Sequence, residues 1–403
     1  MTRDAAGPTR VGPALTRDGS AATRDGSGAR RDGSGPHVAI LGTRGVPAMH
    51  GGFETFADHL ARFLVAAGWR VTVYCQATGS GAAHEDEWNG VRRVHVPVAR
   101  GGPAGTVVFD ARAAFLATRD EGVHLVLGYN TAVLNLVLRA AGKHVVMNMD
   151  GLEWQREKWS LPARTWLRVN EYVGMKTSQR LVADHPMIEE RLRLFRPATA
   201  ITMIPYGADA VTQAGTQVVT ALGLEPGGYY LTVARIEPEN SLLSIVEAHA
   251  ARPNGKKLVV LGSFEPGTNE YHAALARAAA DTCLFPGPIY DKDAVQALRF
   301  HAFAYVHGHT VGGTNPSLVE SMGAGNAVVA HDNRFNRWVA GEGALYFSDT
   351  ATLVGAFDAL ESDPSLVSRL AGAATERHRA RFTWEIVLDE YLTLLTRALG
   401  AAG

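Results

Sequence analysis

The sequence predicts an α/β protein in which two Rossmann-like domains face each other across a cleft. From His37 onward, short apolar runs rich in β-branched residues alternate with longer helix-like segments, as in the βαβ units of a parallel sheet. This pattern occurs twice, and 403 residues with 46% apolar content suffice for two packed domains. Between the two occurrences, we interpret residues 205–209 and the polar stretch after them as the hinge region.

Each predicted domain has its own series of strands. In the first domain we predict strands at 38–41, 71–75, 91–98, 124–127, 144–149, 181–183 and 201–204. In the second we predict strands at 229–234, 257–261, 283–285, 303–306, 327–330 and 345–347. The domains are placed at residues 37–208 and 209–380, followed by a C-terminal helix within 381–403. Because ligands of open parallel sheets bind beyond the carboxyl ends of the strands, the loops after these strands are the candidates for a functional site.

Residues 1–36 differ in composition from the rest of the chain. They repeat the sequence Thr-Arg-Asp-Gly-Ser, starting at Thr16 and again at Thr23, and contain almost no large apolar side chain. Such a segment cannot bury enough surface to offset its chain entropy. We predict a disordered tail, and the sequence leaves open whether a start codon further downstream is the one used.

The net charge gives no reason to expect a nucleic-acid partner, because 39 basic and 40 acidic residues leave a formal charge of -1. The two cysteines, Cys75 and Cys283, have neither the spacing of a disulfide framework nor that of metal ligands. No apolar run approaches the roughly 18 residues of a spanning helix, and the N-terminus lacks the apolar core of a signal peptide. We therefore predict a cytoplasmic protein, soluble or at most peripheral at the inner face of the plasma membrane.

The most informative segment is residues 312–320, Gly-Gly-Thr-Asn-Pro-Ser-Leu-Val-Glu, which combines a glycine turn, a helix start and one carboxylate. Asn315 is suited to the N-cap and Pro316 to the first helical position. The backbone N–H groups of the first turn would favour an anion such as a diphosphate, and Glu320 would accept hydrogen bonds from sugar hydroxyls. The alternative without a ligand is a capping box in which Ser317 caps the helix and Glu320 closes the box. The segment alone does not decide between them.

The loop after the first strand contains two glycine turns, one that includes Gly45 and one formed by Gly51 and Gly52 just before Glu54. A dinucleotide site would require Gly-x-Gly-x-x-Gly here and an acidic residue at the end of the second strand, and neither is present. Gly51 and Gly52 either let the backbone approach a ligand or allow close packing of strand and helix.

Two carboxylates, Asp150 and Glu153, follow the fifth strand, where a substrate would lie between the domains. A carboxylate pair can bind hydroxyl groups or take a proton, and solvated loop acids fit the same sequence. The next residues, 154–168, are rich in Trp, Arg and Lys. This composition suits a membrane interface or a lipid-linked substrate, and ordinary helix packing with snorkelling arginines explains it equally well.

In the second predicted domain, Arg235 stands at the carboxyl end of the first strand. A guanidinium there can clamp phosphates, or it forms a surface ion pair. The loop at 286–290 has a restricted backbone and exposed amides suited to edge contacts with a nucleobase. His307 and His309 stand two residues apart without a companion Cys, Asp or Glu, so we expect no metal site.

With Arg235, the glycine turn at 312–313, Glu320 and the Gly51-Gly52 loop, the chain resembles glycosyltransferase family four, the retaining enzymes of the GT-B fold. The resemblance covers about residues 37 to 398. More narrowly, three strings look like the bacterial branch that contains rhamnosyltransferases of cell-surface polysaccharide assembly. These strings are residues 42–47 with 51–56, residues 150–154, and residues 307–320.

The resemblance implies a GT-B fold with a C-terminal crossover helix that packs back on the first domain. Leu388, Tyr391, Leu392 and Leu395 have the spacing of one helical face, which fits this helix. A plain terminal core helix would have the same pattern.

The resemblance also implies roles for individual residues. The family has two glutamates spaced by seven residues at the donor site; Glu320 matches the second, which holds the ribose, and Gly312 stands in the position of the first. Its phosphate clamp pairs an arginine with a lysine; Arg235 matches, and Asn240 stands in the position of the lysine. We therefore assign Arg235 and Glu320 as catalytic. The expected donor-binding residues are Gly313, Thr314, Asn315, Asn240, Pro288, Ile289 and Tyr290. The expected acceptor or cleft residues are Gly45, Gly51, Gly52, Glu54, Asp150, Glu153 and His309.

The resemblance implies an enzyme that moves a sugar from a nucleotide diphosphate-sugar to a glycan or lipid-linked acceptor, with retention of configuration, in cell-surface polysaccharide biosynthesis. Rhamnose from dTDP-rhamnose is the best candidate donor. We expect no metal and no cofactor beyond the nucleotide-sugar co-substrate. The alternatives are a GT-B-fold nucleotide-sugar epimerase and a non-catalytic nucleotide-binding assembly subunit.

Overall fold

The computed structural model describes residues 35–48, 51–156, 158–252 and 255–401. The predicted disordered tail therefore lies, apart from its last two residues, outside the described residues. Two parallel sheets organise the described part of the chain, as the repeated strand pattern predicts.

The first sheet has eight strands in the order β3-β4-β2-β1-β5-β6-β7-β8. All neighbours are parallel except β3, which pairs antiparallel with β4. The strands are β1 (His37–Leu41), β2 (Arg70–Thr78), β3 (His84–Trp88), β4 (Val91–Val98), β5 (Val123–Leu127), β6 (His144–Asn148), β7 (Arg180–Ala183) and β8 (Ile201–Met203). The central strand β1 is an unbroken buried apolar run because helices cover both faces of the sheet.

Strand β3 is absent from the predicted strands because its sequence, His-Glu-Asp-Glu-Trp, is polar and largely exposed. Cross-strand ion pairs hold it at the sheet edge: Glu85 contacts Arg92 at 2.6 Å and Asp86 contacts Arg93 at 2.5 Å. Charged side chains are a common protection of an exposed edge strand.

Among the described residues before residue 200, five α-helices pack around the first sheet. They are α1 (Gly52–Ala66), α2 (Gly102–Ala117), α3 (Asn135–Ala140), α4 (Leu161–Thr177) and α5 (Pro186–Arg193). Helix α1 packs on one face of the sheet, where Ile40 and Val146 are buried. Helices α2 to α5 pack on the other face, where Val145 and Met147 are buried. This division follows from the alternation of side chains along each strand.

The second sheet has six parallel strands in the order β11-β10-β9-β12-β13-β14. They are β9 (Tyr229–Val233), β10 (Lys257–Leu261), β11 (Cys283–Leu284), β12 (Ala304–His307), β13 (Ala327–His331) and β14 (Ala344–Phe347). The helices around it are α6 (Gln217–Ala221), α7 (Leu242–Ala250), α8 (Glu270–Ala278), α9 (Lys292–Phe300), α10 (Pro316–Gly323), α11 (Arg334–Ala340), α12 (Thr350–Ser362) and α13 (Pro364–Arg381). Every strand predicted in either domain is present.

The last helix, α14 (Trp384–Gly400), returns to the first sheet. Its apolar face, with Leu388, Tyr391 and Leu395, is buried in the same core as Phe56 and Leu60 of α1. The chain therefore crosses from the second sheet back to the first, which confirms the predicted crossover helix. Among the described residues, no helix is long and apolar enough to cross a membrane.

Candidate functional site

A cavity of about 510 Å³ lies where the carboxyl ends of the two sheets face each other. The strands β6, β7, β9 and β12 end at its walls. Seven of the residues expected at the site line this one cavity: Gly51, Gly52, Asp150, Arg235, His309, Thr314 and Asn315. We call this cavity the cleft. Its position agrees with the rule that ligands of open parallel sheets bind beyond the strand ends.

Helix α10 begins at the cleft with Pro316 in the first turn and Asn315 at the N-cap. Asn315 has an extended backbone, but its side chain makes no capping hydrogen bond, so the predicted side-chain cap is wrong. The capping box between Ser317 and Glu320 is also wrong, because the helix begins before Ser317. Within the described residues, the backbone amides of Gly313, Asn315 and Ser317 donate to no protein acceptor. These amides and the helix dipole favour an anion.

Sequence reasoning missed Asp184, a first-domain residue that contacts this segment. Its Oδ2 accepts a hydrogen bond from the Thr314 backbone amide at 3.0 Å, and the Thr314 hydroxyl donates to the Asp184 carbonyl. A Cβ atom on Gly313 would lie 2.3 Å from Asp184 Oδ1, so only glycine admits the carboxylate here. The position of Asp184 in the sequence indicates a site residue, because it directly follows β7 at the carboxyl edge of the sheet.

Asp150 and Asp184 form an acidic pair in the wall of the cleft. Burial, and then the charge of Glu153, raises the pKa of Asp150 to about 6. Burial, and then the charge of Asp150, raises the pKa of Asp184 to about 7. Asp150 also has a φ of 55°, an uncommon backbone conformation for a residue other than glycine.

The crossover helix supports Asp150 through Asn148. The Asn148 Nδ2 donates to the Tyr391 hydroxyl at 2.8 Å, and the Asn148 Oδ1 accepts from the Asp150 backbone amide at 2.9 Å. Tyr391 itself lines the cleft. The C-terminal helix thus fixes the strand end that carries Asp150.

Arg235 is exposed and lines the cleft. Asn240 lies behind it. Its side-chain amide is buried and donates to the Arg235 carbonyl at 2.7 Å, and it lines neither the cleft nor the neighbouring cavity at Arg235. Asn240 therefore supports the loop that presents Arg235.

Two further basic residues near the cleft, Arg156 and Lys158, are not among the site residues expected from the sequence. Arg156 lines the cleft and bridges the domains, contacting Glu153 at 2.5 Å and Glu239 at 2.8 Å. Glu153 is thus engaged by an ion pair. Partial burial, and then the charge of Arg235, lowers the pKa of Lys158. Three basic side chains from both domains therefore lie around the cleft.

His309 lines the cleft with its ring stacked on that of His307, at a centroid distance of 4.3 Å. Burial, and then the charges of Arg156 and Arg235, lowers the pKa of His309 to about 3. The ring is therefore neutral at physiological pH, and its Nδ1 has no hydrogen-bond partner in the described residues. Those residues contain no cluster of three or more His, Cys, Asp or Glu side chains able to hold a metal ion.

Glu320 faces a smaller cavity of about 260 Å³, which it shares with Gly51, Ile289 and Tyr290. Its carboxylate contacts the Arg299 guanidinium at 2.5 Å, and the Arg299 side chain is buried. A third cavity, of about 590 Å³, is lined by Arg235, Pro288, Ile289 and Tyr290. All three cavities have Gly51 in their walls, so the expected ribose, base and diphosphate contacts line cavities that adjoin at this residue.

The remaining expected residues line the first domain beyond the cleft. Gly45 and Glu54 line a cavity of about 630 Å³, with Arg44 and Arg100 in its wall. A cavity of about 350 Å³, which includes Gly51 and Glu54, connects this region to the cleft. Gly45 and Glu54 thus lie along a path away from the cleft, whereas Gly51 and Gly52 lie at its mouth.

Comparison with solved structures identifies the architecture. Sucrose-phosphate synthase from Thermosynechococcus elongatus matches with a TM-score of 0.76 and 21% identity, over 91% of this chain and 100% of that chain. The fold is GT-B. The Anabaena GT-B protein Alr3699/HepE, solved in complex with UDP and glucose, matches with a TM-score of 0.72 and 16% identity, over 90% and 100% of the two chains. The α,α-trehalose 6-phosphate synthase of Burkholderia multivorans matches with a TM-score of 0.73 and 12% identity, over 92% and 100%.

Comparison of the sequence with known families says less about this protein than comparison of the structures. A family model described as a domain of unknown function, DUF1972, matches residues 36–209. No curated protein matches the sequence.

Proposed function

We propose that this protein is a glycosyltransferase that moves a sugar from a nucleotide diphosphate-sugar to an acceptor in the cleft. The observation that carries the proposal is the set of groups at the carboxyl edge of the second sheet. These groups are Arg235, Glu320 and the backbone amides of Gly313, Asn315 and Ser317, which donate to no acceptor within the described residues. Arg235 and Glu320 line neighbouring cavities that share Gly51. Similar solved structures with the same fold include one that holds UDP and glucose.

In the proposed complex, the diphosphate lies between Arg235 and the start of α10. Positive charge and fixed amide dipoles stabilise the negative charge that develops on the leaving diphosphate, and such stabilisation is a large part of catalysis in transfer reactions. Lys158 adds positive charge from the first domain. It compensates for Asn240 at the position where the related enzymes carry a lysine.

The nucleoside would bind beside the diphosphate. Glu320 accepts hydrogen bonds from the ribose hydroxyls, and Pro288 to Tyr290 contact the base. The ion pair with Arg299 orients Glu320, and a carboxylate is a strong acceptor for hydroxyl donors.

We further propose that transfer retains the anomeric configuration, as the resemblance implies. The bond from the sugar C1 to the diphosphate oxygen breaks, a bond from C1 to the acceptor oxygen forms on the same face, and the leaving phosphate takes the acceptor proton. No protein nucleophile is assigned. Asp150 would bind a hydroxyl of the sugar or acceptor, and closure of the cleft would exclude water that hydrolyses the donor.

The three matching strings make rhamnose from dTDP-rhamnose the first donor to test, with a glycan or lipid-linked acceptor of cell-surface polysaccharide assembly. Gly312 removes one carboxylate from the sugar subsite, which fits a donor sugar with fewer hydroxyl groups to bind. Titration of UDP and dTDP into the full chain tests the proposed donor site. Binding of at least one of them supports the proposal, and absence of binding for both, and for the other nucleoside diphosphates, contradicts it.

A further inference from the structure

The exposed apolar side chains of this protein are concentrated on one side of the first sheet. Among the described residues, eleven of the twelve large hydrophobic side chains that are exposed lie between Val107 and Phe195, and the twelfth is Tyr290. They belong to α2, α3, α4 and the segment after α5, which cover the same face of the sheet. Scattered exposed apolar residues are ordinary, but a contiguous group marks an interaction surface.

Helix α4 contributes the centre of this surface. Its inner side, with Leu167 and Met175, is buried in the first-domain core. Its outer side exposes Leu161, Trp166 and Val169 at 77%, 45% and 52%. A helix on the surface of a globular domain normally has a polar outer side. The apolar outer side of α4 is therefore not explained by its packing on the first domain.

The neighbouring elements extend the outer side of α4. Helix α3 packs against α4 and exposes Leu136, and Leu194 is exposed at 76% after α5. The Tyr172 ring of α4 meets the Phe195 ring edge-on, with 6.1 Å between centroids. We call the exposed outer surface of α3, α4 and residues 194–195 the α4 face.

Positive charge surrounds these apolar side chains. Arg168 and Lys176 are exposed on α4, and Arg139 is exposed on α3. The one acidic residue of α4, Glu171, is buried and paired with Arg191 at 2.6 Å. The α4 face therefore combines exposed Trp, Tyr and aliphatic groups with cations that form no ion pair within the described residues. This combination suits the headgroup region of an anionic bilayer.

We propose that the α4 face binds the surface of a membrane that contains anionic lipids. Charge complementarity favours this partner over a second copy of the chain, because a self-complementary contact would bring the same cations together. Tryptophan and tyrosine have an apolar ring and a polar group, which suits them to the membrane interface. Helix α4 follows directly on the loop that carries Asp150 and Arg156, so a bound membrane would lie beside the first-domain wall of the cleft. The binding itself does not depend on the proposed transfer activity.

Cosedimentation of the full chain with vesicles tests this proposal. We expect binding to vesicles of phosphatidylcholine mixed with phosphatidylglycerol, much weaker binding to phosphatidylcholine alone, and loss of binding as salt is raised. The variant Leu161→Ser/Val169→Ser/Leu194→Ser should bind at least about tenfold more weakly, because three exposed apolar groups are lost. Tyr290→Ser removes an exposed apolar group from the second domain and should bind vesicles as the wild type does. Because Tyr290 is also an expected donor contact, nucleotide binding is compared only between the wild type and the variants of the α4 face.

A second variant tests the charges separately. Arg168→Glu/Lys176→Glu should abolish the preference for anionic vesicles while leaving the thermal midpoint near that of the wild type. Equal binding to neutral and anionic vesicles, or no binding to either at low salt, would overturn the proposal. So would self-association in the absence of vesicles that the triple variant removes, because it would identify a second copy as the partner. Measuring nucleotide binding on the same samples keeps a failure of the donor site distinct from a failure of membrane binding.

Discussion

The Asp184 carboxylate of the first domain accepts a hydrogen bond from the Thr314 backbone amide of the second, with 3.0 Å between Oδ2 and N. Thr314 lies just before α10, among amides that favour an anion. The Thr314 amide therefore already has an acceptor in the protein. The amides of Gly313, Asn315 and Ser317 have none within the described residues. The proposed diphosphate contacts are therefore the amides of Gly313, Asn315 and Ser317.

The raised pKa of Asp184 predicts that its ionisation destabilises the protein as pH rises. Burial and the charge of Asp150 raise the pKa to about 7, whereas an unfolded-state aspartate has a pKa of about 3.9. Between these values the folded protein retains a proton that the unfolded chain has released, so folding free energy is lost as pH rises through this window. Asp184→Asn should therefore raise the thermal midpoint at about pH 8 and change it little at about pH 4. The effect is at most about 4 kcal/mol, since one pKa unit is about 1.4 kcal/mol.

Asp110 provides the control for this pH dependence. Burial raises its pKa to about 6, but it lies within the first domain, where Oδ2 accepts from the Thr131 hydroxyl at 2.7 Å. Asp110→Asn should likewise raise the thermal midpoint at about pH 8, while the contact between Asp184 and Thr314 stays intact. An Asp184→Asn protein that follows the same stability curve as the wild type from acid to alkaline pH would contradict the assignment.

Gly313→Ala should break the contact between the domains. The added Cβ would lie 2.3 Å and 2.4 Å from the two carboxylate oxygens of Asp184, so the carboxylate must leave the Thr314 amide. We expect a loss of about 1 to 3 kcal/mol in the free energy of unfolding, measured by denaturant titration. In an Asp184→Ala background the same change should cost much less, and equal costs in both backgrounds would show that the clash does not matter. Gly312→Ala is the neighbouring control, because its nearest contact would be the end of the Asn315 side chain at 2.9 Å, which can move aside.

Glu320→Gln should weaken binding of a nucleoside diphosphate by about 1.5 to 3 kcal/mol, the range for a hydrogen bond to a charged group. Inorganic pyrophosphate lacks the ribose and should bind the variant as it binds the wild type. Isothermal titration of both ligands separates the ribose contact from a general loss of structure. Asp332→Asn, which removes one partner of an exposed ion pair in the same domain, should affect neither titration. An unchanged nucleotide affinity in Glu320→Gln would rule out the ribose contact.

Arg235→Ala should weaken nucleoside diphosphate and pyrophosphate alike, because the guanidinium contacts the part that both ligands share. We expect a loss of about 1.5 to 3 kcal/mol for a charged contact, and a weaker dependence of the remaining affinity on salt. Arg337→Ala, whose guanidinium pairs with Asp332 on the surface, is the matched control. Retention of pyrophosphate affinity in Arg235→Ala would assign the diphosphate to Arg156 and Lys158 instead.

The strands and their order of appearance follow from local patterns, which is why the sequence predicts both sheets. Buried parallel strands such as β10 are short, mostly apolar runs, whereas the exposed edge strand β3 is polar and has no such run. The crossover helix is predictable because the spacing of Leu388, Tyr391 and Leu395 gives it one apolar face.

The contacts across the cleft do not follow from local patterns. Asp184 and Thr314 are 130 residues apart, and Arg156 and Glu239 are 83 residues apart. Their pairing depends on how the two sheets face each other, a relationship that no local spacing encodes. Local spacing also gives no sign that the Asn240 side chain donates to the Arg235 carbonyl.

The most direct test of the central claim is turnover of a panel of nucleotide sugars, including dTDP-rhamnose and UDP-glucose, with a lipid-linked glycan acceptor. Nucleoside diphosphate release and the mass of the acceptor are followed together, with Arg235→Ala as the inactive reference. The account predicts that one donor is consumed, that nucleoside diphosphate appears only with acceptor present, and that the acceptor gains the mass of one sugar residue. Consumption of no donor under any acceptor condition, or conversion of a donor without transfer to the acceptor, would contradict it.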